Sequence, residues 1–93
     1  MDRKIIFGKM GTHDGERRID VYIDPFIENQ YEPAAISFEI YKEMKDKLWH
    51  VRKKWSVMEK GHFITKKEYC GSGELKKCKQ FCKEELELYI LPS

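Results

Sequence analysis

Apolar and polar positions are patterned most densely between residues 35 and 58, AISFEIYKEMKDKLWHVRKKWSVM, and the rest of the chain reads as elements that pack against this stretch. Two periodicities compete there. Ile36, Phe38 and Ile40 alternate with Ser37, Glu39 and Tyr41, and Trp49, Val51, Trp55 and Val57 alternate with His50, Arg52, Lys54 and Ser56. That is the period of two half-buried strands, with a turn at Lys45, Asp46 and Lys47. Ile36, Ile40, Met44, Leu48, Val51, Trp55 and Met58 also recur at helical spacing, with Pro33 before them and Gly61 after them. Propensity favours the strands, because the flanks are β-branched or aromatic and only residues 42–48 are rich in good helix formers. The hairpin also puts both tryptophans on one face, whereas a helix would leave Phe38, Trp49 and Val57 on its charged side.

Before this stretch, KIIFGK (4–9) and RRIDVYID (17–24) flank Asp14-Gly15, a pair in which both positions tolerate positive φ, so a β-hairpin is expected. Pro25 ends its second strand. Residues 26–33, FIENQYEP, form a loop whose Phe26, Ile27 and Tyr31 suit a lid over the core edge. After it, residues 61–65 read as a short fifth strand and residues 66–73, KKEYCGSG, as a loop. From Glu74 onward Leu75, Cys78, Cys82, Leu86 and Tyr89 share one side of a helix, opposite most of the lysines and glutamates.

These elements sum to one small α+β domain over residues 1–93: an antiparallel sheet of four to five strands with a C-terminal helix packed on one face. A β-hairpin with two helices is the alternative if 35–58 is helical. A chain of 93 residues supports one modest core. No apolar run reaches membrane-spanning length, the start lacks a signal-peptide core, and three cysteines make no disulfide framework, so a reducing cytoplasm is the expected location. The net charge of +2 hides a division. Residues 1–40 carry five Lys or Arg against eight Asp or Glu, residues 41–83 thirteen against five, and residues 84–93 none against three.

Candidate chemistry is sparse. His62, Cys70, Cys78 and Cys82 are zinc-ligand types, but only Cys78 and Cys82 are close in sequence, on the apolar side of a helix where cysteine acts as a small hydrophobe. No metal or cofactor is expected. Cys70 with His50 or His62 makes no nucleophilic site unless the fold joins them. Gly71-Ser72-Gly73 lacks the phosphate-loop pattern, and Asp20 and Asp24 lie along a wet strand face.

Binding is what remains. Arg52, Lys53 and Lys54 interleave with Tyr41, His50 and the tryptophans, and Lys66 and Lys67 extend the positive surface. These seven residues, Tyr41, His50, Arg52, Lys53, Lys54, Lys66 and Lys67, are the candidate binding site. The expectation is a small non-catalytic adaptor or inhibitor, of the kind phages and mobile elements carry, docking on a larger protein or nucleoprotein. A sheet-based nucleic-acid-binding module is the alternative. A membrane partner is not expected, and a homodimer through the uncovered sheet face or an edge fits the same architecture.

Overall fold

The computed structural model describes residues 4–24 and 34–90, as six antiparallel strands and one helix. The strands are β1 (Lys4–Phe7), β2 (Gly11–His13), β3 (Glu16–Asp24), β4 (Ala34–Glu43), β5 (Trp49–Glu59) and β6 (His62–Gly73), and the helix is α1 (Leu75–Ile90). β1 and β2 both pair with β3, so the sheet has five positions in the order β1-β3-β4-β5-β6, and every neighbour is consecutive along the chain apart from that split first strand. Gly8 still follows the β1 register, donating to Asp20 O at 2.8 Å, and the register then shifts by one residue before Gly11 pairs with Arg18, which divides the strand in two.

Residues 35–58 are the β4–β5 hairpin and not a helix. Its turn spans residues 44–48 and is closed by Asp46 N donating to Glu43 O at 3.0 Å. The first hairpin turns through Asp14 (φ 49°) and Gly15 (φ 78°), two successive positive φ angles of the kind that match strand twist in a two-residue loop. Lys60 (φ 49°) and Gly61 (φ 80°) repeat that geometry between β5 and β6. There the sequence expectation is corrected. Residues 61–65 are not a short separate strand followed by a loop at 66–73; His62–Gly73 is one strand of 12 residues, paired with β5 along its whole length through a bulge opposite Val51 and Arg52. Lys66, Lys67, Gly71 and Gly73 read as loop residues, yet the β5 ladder supplies hydrogen-bond partners that override their low strand propensity. The loop expected at 26–33 lies outside the described residues.

One face of the sheet carries the core. Ile19 and Val21 from β3, Phe38 and Ile40 from β4, and Trp49 and Val51 from β5 are buried against Cys78, Cys82 and Leu86 of α1. Phe81 meets Phe38 edge to face, with ring centres 5.9 Å apart and planes at 83°. A 16-residue helix is about 24 Å long, against about 36–40 Å for β5 and β6. Burial therefore falls along β5, from Trp49 and Val51, which are buried, through Trp55 and Val57, which are half-buried, to exposed Met58 and Glu59. The two tryptophans share a face as expected, but only Trp49 belongs to the core.

Leu86 is fully enclosed, so Leu86→Ala leaves a cavity that a helix pinned across five strands cannot collapse. We expect a loss of about 2–5 kcal/mol in urea-unfolding stability, against less than about 0.5 kcal/mol for Leu88→Ala on the exposed side of the same helix.

Candidate functional site

The face of the sheet away from α1 is paved with charge. Alternation along each strand sends Glu16, Arg18, Asp20, Glu39, Tyr41, Glu43, His50, Arg52, Lys54, Lys67 and Tyr69 to this side. Glu39 sits at the centre, only 2% exposed. Its carboxylate accepts from Arg52 Nε at 3.3 Å and Nη2 at 3.2 Å, and ion pairs reach it from Arg18 Nη1 at 3.1 Å and Lys67 Nζ at 3.2 Å. Arg52 also donates to Glu16 at 3.3 Å and lies 4.2 Å over the Tyr41 ring. Arg18 reaches Asp20 at 3.9 Å.

Burial alone would raise the Glu39 carboxyl, but hydrogen bonds and charge from Arg52 and Lys67 outweigh it and hold the group below the ordinary carboxylate range. Burial lowers the Arg52 guanidinium, yet Glu39 and Glu16 carry it above its usual value. Tyr41 is pushed up, chiefly by burial. Beside this network Asp46 and Tyr69 hold His50: Nε2 lies 3.4 Å from the Asp46 carboxylate and Nδ1 lies 3.0 Å from the Tyr69 hydroxyl. The neutral tautomer that satisfies both donates from Nε2 and accepts at Nδ1.

The seven candidate residues thus divide between two faces. Tyr41, His50, Arg52, Lys54 and Lys67 lie together on the open face. Lys53 and Lys66 point to the helix side, where Lys53 Nζ stands 5.5 Å over the Trp55 ring and Lys66 pairs with Glu59 at 3.3 Å. Glu39 is the residue that sequence reasoning passed over. Its alternation partner Tyr41 was singled out, but a glutamate on the polar side of a strand gives no sign that it will be buried among three cations.

A cleft of about 690 Å³ opens at the end of the sheet where the Asp14-Gly15 and 44–48 turns meet, lined by Glu16, Arg18, Glu43, Lys45 and Arg52 among others. Its acids and bases alternate, so no single ligand charge is selected.

The cysteines fall into two environments. Cys78 and Cys82 are buried on the sheet-facing side of α1, and the Cys78 thiol is 3.8 Å from both Trp49 O and Gly73 O. Burial pushes the Cys82 thiol up to about 12. Cys70 is exposed and its thiol donates to Glu68 O at 3.5 Å, while His50 is committed to Asp46 and Tyr69. Among the described residues no group of three or more His, Cys, Asp or Glu side chains is gathered as a metal site. No described helix is long and apolar enough to cross a membrane.

Two outcomes follow from this geometry. Because the folded-state value of Glu39 is depressed, its contribution to stability is complete above the unfolded-chain value and fades as pH falls through the folded one. Urea midpoints measured from about pH 6 down to pH 3 should show an acid limb that Glu39→Gln flattens. At neutral pH that substitution should cost toward the lower end of about 3–5 kcal/mol, since the three cations it strands still reach solvent. Maleimide should label Cys70 in the native protein and add Cys78 and Cys82 only after denaturation, read by intact mass.

Comparison with known proteins adds no relative: no protein-family model matches the chain, and neither a curated protein nor a solved structure shows significant similarity to it.

Proposed function

We propose that the chain is a non-catalytic docking protein that occupies a surface on a larger protein, and that the outer half of the β5–β6 hairpin is its point of attachment. The observation that carries this reading is the outer half of the hairpin, beyond the core, where apolar side chains gather in solvent. Met58 and Phe63 face each other across the open side at 58% and 61% exposure. Val57 faces Ile64, itself 40% exposed, on the other side. Large apolar side chains clustered in water favour a partner.

A nucleic-acid-binding use of the sheet has less support. Arg52 and Arg18, the less exposed partners of Glu39, are already engaged by it, and Arg52 covers the Tyr41 ring on which a base would stack. A phosphate backbone would have to compete with a buried carboxylate for each of them.

The test is partner capture on immobilised protein, with lysate from the organism that encodes the chain. Phe63→Ser with Ile64→Ser should abolish retention of the captured protein while leaving the circular dichroism spectrum unchanged, and Leu88→Ser, at a still more exposed apolar position on α1, should leave retention intact. Retention unaffected by the hairpin variant, or a captured species that nuclease removes, would overturn the assignment.

A further inference from the structure

β6 is an edge strand of unusual length, and His62 to Cys70 form nine consecutive exposed positions along it. No described element pairs with its outer side, so its outward N–H and C=O groups are available for a further strand. The bulge opposite Val51 and Arg52 ends the smooth part of the edge at Tyr69. Along this edge Phe63, Thr65, Lys67 and Tyr69 face the open side, and His62, Ile64, Lys66 and Glu68 face the helix side. Lys66 and Lys67 pair with Glu59 at 3.3 Å and Glu39 at 3.2 Å, yet each side chain is 46% exposed, so a carboxylate arriving at the edge shares an ammonium that still has donors facing water. Lys67 stands directly opposite Lys54, which has no carboxylate within 4.0 Å among the described residues. Like charges opposed across a ladder repel, and an added carboxylate beside them relieves that repulsion.

The same lysines discriminate between occupants. A second copy pairing edge to edge about a two-fold axis at residue 66 or 67 would set Lys66 against Lys66 or Lys67 against Lys67. A strand with carboxylates opposite Lys66 and Lys67 and no acid opposite Glu68 meets no such penalty.

We infer that the β6 edge accepts an extended acidic segment of a partner protein as a seventh strand, antiparallel, with adjacent carboxylates against Lys67 and Lys66 and apolar residues against Ile64 and Phe63. Reading the ligand from its N-terminus, the order is acid, acid, any residue, apolar, apolar. Main-chain hydrogen bonds hold the strand and the alternating side chains select it. This deepens the docking reading and rests on it, adding the mode of attachment and the chemistry of what attaches.

The probe is a fluorescent peptide, Val-Lys-Glu-Glu-Thr-Val-Val, titrated with the full chain and followed by anisotropy. Saturable binding is expected, weakened roughly fivefold to tenfold when both glutamates become glutamine. Two further peptides carry N-methyl groups on alternate residues in opposite phases. Strand addition requires one phase to lose binding and the other to keep it, because only alternate amides face β6. Lys66→Glu should weaken the parent peptide and restore binding to the peptide whose second glutamate is lysine. Absence of saturation at millimolar peptide, or equal binding of the two N-methylated phases, would overturn the inference. So would displacement by a single-stranded oligonucleotide, or self-association of the protein that Lys66→Glu strengthens or abolishes. Partner capture that still depends on Phe63 and Ile64 with no peptide binding would remove strand addition and leave the docking reading standing.

Discussion

One helix cannot cover this sheet. At about 24 Å, α1 shields a band that crosses β1, β3, β4, β5 and β6, and it leaves two areas to be stabilised by other means. One is the whole opposite face; the other is the far end of β5 and β6. The molecule treats them differently, and that difference shapes what each can do.

The opposite face is closed by charge. Asp20 lies directly across from Glu39, Glu16 from Glu43, and Lys54 from Lys67, pairings that would repel if the ladder were read row by row. Relief comes from Arg52, which is directly opposite Glu39 and reaches on to Glu16, and from Arg18 and Lys67, which approach Glu39 diagonally. Four strands are stitched through one carboxylate, so a face without a covering layer still has a buried centre. A buried group of this kind stabilises mainly by being costly to leave unpaired, which fixes the register of the strands that supply its partners. The far end of the hairpin has no such device, and its apolar side chains stand in water.

Much of this was legible from residue order. The alternation of Ile19, Val21 and Ile23, of Phe38 and Ile40, and of Trp49 and Val51 specified both the strands and the face that α1 covers, because a period of two leaves no choice of side once one residue is buried. Asp14-Gly15 announced its turn. Lys60-Gly61 adopts the same backbone but was not recognised, since lysine is a weaker mark of positive φ than aspartate and glycine alone fits many contexts. The second part of β6 was read as loop because Lys66, Lys67, Glu68, Gly71 and Gly73 carry little strand propensity; its structure comes from the partner strand, which a local reading does not contain. For the candidate site, the basic residues were visible, but they were grouped as one surface: Lys53 alternates away from Arg52 and Lys54, and Lys66 and Lys67 were read as loop residues, to which alternation assigns no face. Their engagement was not visible, because the link between Lys67 and Glu39, which spans β4 to β6, depends on tertiary register.

The consecutive order of the strands has a consequence for how the chain reaches this structure. From β2 onward every strand pairs with the next in sequence, two of the connections are two-residue turns, and the sheet can grow by adding one hairpin arm at a time with little chain entropy lost at each closure. The helix is the exception: Phe81 must find Phe38, and Leu86 must find strands laid down much earlier. The ladder can therefore form from the local end while its apolar face is still wet, and the docking of the last sixteen-residue element converts a hydrogen-bonded ribbon into a protein with a core.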